Sequence, residues 1–279
     1  MYLATELDVN GRLLRGNVRM PDSGGPFPAI VFLHGFTVWK TGPQRLYEEF
    51  ARAAVGKGYC VIRFDFYGTG ESEGEFYEMT IGSEMNETEA IFAWAKEQPY
   101  VDAGNLFLGG HSMGALVAVL TAPRLKPKAL FGWSTAMTMY YQAGIRARTM
   151  KGPTARGWDI DGLELSREFM EEAAGMDFQA MARGYGGPVL LVHGSCDTDI
   201  PVESAYVLQK IYGEKCQIDV VEGANHRFLS LPWKCHVYER TLAFLGEQTN
   251  RTLSFELSEA HCHEIFHSLR NGCTDAGDR

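Results

Sequence analysis

No stretch of this chain approaches the roughly 20 consecutive apolar residues that a membrane-spanning helix needs. The opening Met1-Tyr2-Leu3-Ala4-Thr5-Glu6-Leu7-Asp8 also lacks the basic region and apolar core of a secretory leader. A soluble protein without a membrane partner is expected. Excess positive charge is missing as well. With 35 Asp and Glu against 26 Lys and Arg the formal net charge is −9, which argues against nucleic acid or an anionic membrane surface as a partner. Cys-x-x-Cys pairs are absent. The six cysteines, Cys60, Cys196, Cys216, Cys235, Cys262 and Cys273, are scattered without a dense framework, so a reducing, cytoplasmic setting is expected. Internal repeats and low-complexity segments are lacking too. What is present is 279 residues, 45% of them hydrophobic, ample for one domain with a sizeable core.

Periodicity places elements along that length. Tyr2 to Val9 and Arg12 to Val18 read as an opening hairpin around Asn10-Gly11, a pair that favours a type I′ turn. Strands are then expected near 28–34, 60–64, 105–109, 128–133, 188–193 and 217–221, alternating with helices near 43–57, 84–98, 113–124, 202–212 and 230–246. That alternation implies an α/β fold with a mostly parallel, doubly wound sheet flanked by helices and a site at the carboxyl ends of the strands.

The most informative segment is Gly110-His111-Ser112-Met113-Gly114, which follows an apolar run and precedes a helical pattern. This fits the Gly-x-Ser-x-Gly elbow, where a nucleophilic serine sits on a strained turn between strand and helix. The pentapeptide alone also fits a loop serine between two glycines. A serine hydroxyl needs an imidazole to take its proton and a carboxylate to hold that imidazole. In this architecture both follow later in the chain, in the order Ser, Asp, His, each just past a strand. Asp197 lies in the loop after Pro188-Val-Leu-Leu-Val-His-Gly194, with Asp199 a rival in the same loop. Among the eight histidines, position selects His226, in the loop after Gln217-Ile-Asp-Val-Val221. An oxyanion would need two main-chain donors. Met113, after the nucleophile, and Phe36, in the loop after the strand ending in His34-Gly35, are the candidates.

With these residues in place the chain resembles the α/β-hydrolases and, more narrowly, the bacterial feruloyl or cinnamoyl esterases. The resemblance is carried by His34-Gly-Phe-Thr37, Arg63-Phe-Asp-Phe-Tyr-Gly-Thr-Gly-Glu-Ser-Glu-Gly-Glu-Phe76, Met79-Thr-Ile81, Gly109-Gly-His-Ser-Met-Gly-Ala115, His193-Gly-Ser-Cys-Asp197 with Ile200-Pro201, and Gly223-Ala-Asn-His226. It runs over about residues 1–247 and implies a serine carboxylic-ester hydrolase working through an acyl-enzyme on a small-molecule ester, with no cofactor and no metal. General short-chain carboxylesterase, acylglycerol lipase and serine peptidase are the alternatives. Asp65 is read as a turn residue that bonds nearby amides, not as a catalytic acid.

Residues 1–247 are expected to form the catalytic domain, interrupted by a cap insertion at about 135–186. That insertion is rich in Met, Tyr, Arg and Gly and would roof the acyl pocket. Tyr140, Tyr141 and Trp158 from it, together with His34, are the candidate substrate-binding residues, since aromatic rings suit a planar acyl group. A C-terminal extension, 248–279, contains His263-Glu264-Ile265-Phe266-His267, a match to His-Glu-x-x-His. Arg270 and Cys273 stand where the longer zinc-protease motif has glycine and histidine, so a packing element is expected instead, against the body or in a homodimer.

Overall fold

The computed structural model describes residues 1–138 and 153–249. Tyr140 and Tyr141, and the His263 and His267 pair, lie outside the described residues. Two antiparallel strands open the chain, β1 (Tyr2–Val9) and β2 (Arg12–Arg19). Asn10 and Gly11 between them have φ of 56° and 81°, the two left-handed positions that a type I′ turn requires. Then come β3 (Phe27–Leu33), β4 (Cys60–Phe64), β5 (Val101–His111), β6 (Leu130–Trp133), a short hairpin of β7 (Gly157–Ile160) and β8 (Leu163–Ser166), β9 (Val189–Gly194) and β10 (Cys216–Val221). Eight of them form one sheet in the order β1-β2-β4-β3-β5-β6-β9-β10, parallel from β4 onward.

Side chains alternate across this sheet and so divide the core in two. Ala29, Val31 and Leu33 of β3 join a cluster with Leu106 and Leu108, while Ile30 and Phe32 join Phe107, Phe131 and Trp133 on the other face. Helices α1 (Leu46–Gly56) and α7 (Leu231–Gln248) cover the second, aromatic face. The first face is covered by α2 (Ile81–Lys96), α3 (Met113–Leu125) and α6 (Glu203–Tyr212). Between β6 and β9 the chain adds the β7–β8 hairpin, α4 (Arg167–Gly175) and α5 (Phe178–Ala182). These elements fall within the stretch 135–186 expected as a cap, between two strands that pair directly, Leu130 beside Val189.

Expected and observed boundaries differ most at α2 and β5. Helix α2 begins at Ile81 rather than near 84, because Thr80 and Ser83 make a reciprocal capping box that satisfies its first amides. Strand β5 begins at Val101, which pairs with Phe27, and extra residues in β5 shift the register before Leu106 pairs with Ala29.

Two glutamates, Glu84 and Glu87, occupy the buried face of α2, each 1% exposed. Burial pushes the Glu84 carboxyl well above its ordinary range, and the Glu87 charge adds to this. Burial also raises Glu87 to about 7, against the opposing pull of the Tyr67 amide and Arg12. A carboxyl raised in the folded state keeps a proton that the unfolded chain releases near 4.5. Its stabilising contribution is thus complete below that pH and is lost as pH climbs through 7. Stability of the native protein should fall by roughly 3 kcal/mol over that range from Glu87 alone. Denaturant titrations from pH 5 to pH 8 should show a shallower slope in Glu87→Gln, and parallel slopes would remove this assignment.

Candidate active site

Strand β5 delivers Ser112 to a turn that no extended or helical residue makes, with φ 55° and ψ −118°. Its amide donates to the Trp133 carbonyl at 2.8 Å, and its carbonyl accepts from Leu116 at 3.1 Å and Ala136 at 3.2 Å. The strained conformation is therefore held from both sides. Glycine on either flank lets helix α3 start hard against the sheet. A Cβ on Gly110 would meet the Gly114 carbonyl carbon at 2.7 Å, and one on Gly114 would meet the His34 carbonyl oxygen at 2.3 Å.

His226 and Asp197 arrive from the loops after β10 and β9. His226 Nε2 lies 3.0 Å from Ser112 Oγ, and its Nδ1 lies 2.8 Å from Asp197 Oδ2. A carboxylate only accepts, so Nδ1 carries the imidazole proton and Nε2 is free to accept from the serine. Asp197 Oδ1 takes the amides of Asp199 at 3.0 Å and Ile200 at 2.8 Å. Burial disfavours ionisation of this carboxyl, but hydrogen bonds from His193 and His226 outweigh it and hold Asp197 well below the usual carboxylate range. Between the two acids considered, geometry brings Asp197 to the histidine, whereas Asp199 contributes an amide and lines the cavity mouth.

That cavity, about 250 Å³, is lined by Phe36, Val38, Met113, Ile160 and Ile200 with Ser112 and His226 at its base and Asp161, Asp199 and Arg227 as charged neighbours. Phe36 and Met113 both reach it. Met113 is the first residue of α3, where a main-chain N–H has no acceptor within the helix. Gly35 brings the β3 loop so close that a Cβ there would lie 3.2 Å from the Ser112 Cβ. The Phe36 ring packs between Phe76 and Phe169, centroids 5.4 and 5.7 Å away. A larger groove of about 700 Å³ beside β2 is lined by Arg19, Lys40, Glu48 and Asp65 rather than by any of these residues. Several of its charges are paired with one another: Arg19 and Arg52 bind Glu48, and Lys40 binds Asp65 and Glu71.

Two of the expected substrate contacts, His34 and Trp158, lie outside the cavity lining. His34 is 1% exposed, with Nε2 accepting the Phe66 amide at 3.0 Å and Nδ1 2.9 Å from the Gly35 carbonyl. Both ring nitrogens are thus engaged in joining the loops after β3 and β4, and the ring does not line the cavity. Trp158 lies in β7 opposite Leu165, with the Arg167 guanidinium 5.1 Å from its ring centroid, and it is Ile160 and Asp161 of that hairpin that reach the cavity. Asp65 does bind amides, those of Lys40 at 2.6 Å and Glu71 at 2.9 Å. Sequence reasoning passed over His193, whose Nε2 lies 2.9 Å from the Ile200 carbonyl and 3.3 Å from Asp197 Oδ2. It also passed over His111, whose ring lies 4.8 Å from that of His226. Their signal was adjacency, since each stands within a motif already singled out.

Residues 30–234 match the model of a family described as "Alpha/beta hydrolase family". The chain belongs to that family. Over 215 residues it is 27% identical to the mitochondrial palmitoyl-protein thioesterase ABHD10 of Bos taurus, covering 73% of this chain and 68% of that protein. Over 243 residues it is 25% identical to the lysophosphatidylserine lipase ABHD12 of Danio rerio, covering 85% of this chain and 59% of that one. Among solved structures, Est1E of Butyrivibrio proteoclasticus with ferulic acid bound superposes with a TM-score of 0.78 at 25% identity, over 88% of this chain and 99% of that one. None of this chain's described helices is long and apolar enough to cross a membrane.

Proposed function

We propose that this hydrolase cleaves carboxylic esters through an acyl-enzyme on Ser112, with hydroxycinnamoyl esters such as feruloyl esters as the substrate class. The observation that carries the reading is the unbroken hydrogen-bonded series from Ser112 Oγ through His226 to Asp197, at 3.0 and 2.8 Å. Ser112 Oγ attacks the ester carbonyl as its proton passes to His226 Nε2, and Asp197 stabilises the resulting imidazolium. The amides of Phe36 and Met113 take the charge that develops on the carbonyl oxygen. Collapse of the tetrahedral species returns the proton to the departing alcohol, and water activated by His226 then releases the acid.

Preference for a hydroxycinnamoyl ring is supported by the likeness to Est1E with ferulic acid bound. It is also supported by a cavity walled by Phe36, Val38, Ile160 and Ile200, where a planar ring gains from offset contacts. The test is the ratio of kcat/KM for methyl ferulate to that for p-nitrophenyl butyrate, with Ser112→Ala as the blank. A ratio above one is expected, and a ratio far below one would leave a general short-chain or acylglycerol esterase. Thioester cleavage is the second reading, favoured by the 27% identity with a palmitoyl-protein thioesterase. Turnover of a palmitoyl thioester exceeding that of both oxygen esters would select it.

A further inference from the structure

Behind the three residues that exchange protons runs a second hydrogen-bonded series. The main-chain carbonyl of His226 lies 2.8 Å from His111 Nε2, and His111 Nδ1 lies 2.8 Å from the Tyr47 hydroxyl. A carbonyl only accepts, so Nε2 carries the His111 proton. Nδ1 is then bare, and the Tyr47 hydroxyl donates to it. Both side chains are buried, Tyr47 completely and His111 to 3% exposure. Burial, reinforced by the nearby His226, pushes His111 down to about 3, so the ring stays neutral and its tautomer is set by its two partners. Gly35 packs on the same ring: a Cβ there would lie 3.6 Å from His111 Nδ1.

His111 therefore stands where the loops after β3, β5 and β10 converge, and Tyr47 reaches it from α1. We infer that Tyr47 and His111 are positioning residues for ester cleavage, holding the His226 main chain so that its ring stays in line with Ser112 Oγ. The inference rests on the proposed roles of Ser112, His226 and Asp197. Its physical basis is that proton transfer demands tight geometry, where a displacement of about 1 Å can cost on the order of 100-fold in rate.

The experiment is a set of steady-state measurements on p-nitrophenyl butyrate, with Tm recorded for each variant. His111→Leu removes the donor to the His226 carbonyl and should lower kcat roughly 10- to 100-fold while leaving KM within about twofold. His111→Gln, whose amide nitrogen can donate where Nε2 does, should recover most of that loss, which a purely space-filling role for the ring would not require. Tyr47→Phe keeps the ring and deletes only the hydroxyl, and should lower kcat roughly 3- to 10-fold. Wild-type kcat in folded His111→Leu overturns the inference, as does a glutamine variant no better than the leucine one. If His111→Leu does not fold, unchanged kcat in Tyr47→Phe overturns it. Loss of activity in Ser112→Ala beside full activity in these variants removes the positioning role alone. Full activity in Ser112→Ala removes the catalytic reading and this inference with it.

Discussion

Ser112→Ala is expected to lower kcat by roughly 10⁵- to 10⁶-fold with an unchanged Tm. The hydroxyl sits 3.0 Å from His226 Nε2, and alanine supplies no atom that could form the acyl-enzyme. In serine hydrolases, loss of the nucleophile alone costs about as much as loss of the whole triad, the remainder coming from oxyanion stabilisation and binding. Alanine also lacks any packing burden at this position, and the two backbone bonds that hold the turn, to Trp133 and from Ala136, do not involve the side chain. Stopped-flow turnover on enzyme prepared from a host lacking endogenous esterase gives the answer. Residual kcat above about 1% of wild type, in a variant that melts normally, would mean that another residue is the nucleophile.

The second large effect is on stability. Gly114→Ala should destabilise the protein by about 3 kcal/mol or more, placing it among the exceptional substitutions. Its added carbon would come within 2.3 Å of the His34 carbonyl oxygen and 2.5 Å of the Leu33 carbonyl oxygen. Those contacts are backbone at the end of β3 and one residue beyond it; β3 pairs with β4 and β5 on either side, and a main chain has no rotamer by which to yield. Tm should drop by roughly 6–12 °C for a domain of this size. Gly56→Ala is the matched control. At that position, the last residue of α1, a Cβ meets nothing within 4 Å, and the change should be neutral or slightly stabilising. Equal melting of both variants would show that the close approach of α3 to β3 is not what demands glycine.

What could be read from the sequence was chemistry encoded over a few adjacent positions. The hairpin was legible because Asn10-Gly11 prefers the φ values its turn needs, and the elbow because Ser112 stands between glycines at a strand-to-helix junction. Asp197 and His226 were legible because each follows an apolar strand in a fixed order along the chain. The rest depends on residues far apart. Nothing local to Tyr47 announces that its hydroxyl meets His111, 64 positions away, and nothing local to His193 separates a core imidazole from one that binds Asp197. His34 and Trp158 misled for the same reason. A histidine just past β3 and an aromatic in β7 are residue types that suit a binding site, but the Phe66 amide and the Arg167 guanidinium claim them.

The pairing of β6 with β9 carries a consequence for how this scaffold can diversify. Ser112 is encoded before the insertion, and Asp197 and His226 after it, yet the chain leaves and re-enters the sheet on neighbouring strands, with Leu130 beside Val189. An excursion whose two ends are already fixed side by side pays for added length only logarithmically, about 0.6 kcal/mol for each doubling. Selection, or a protein engineer, can therefore lengthen, shorten or exchange the β7–β8 hairpin, which lies beyond the Ala136 amide that holds the Ser112 turn. New cavity linings become accessible by grafting, while the distances among Ser112, His226 and Asp197 are inherited intact.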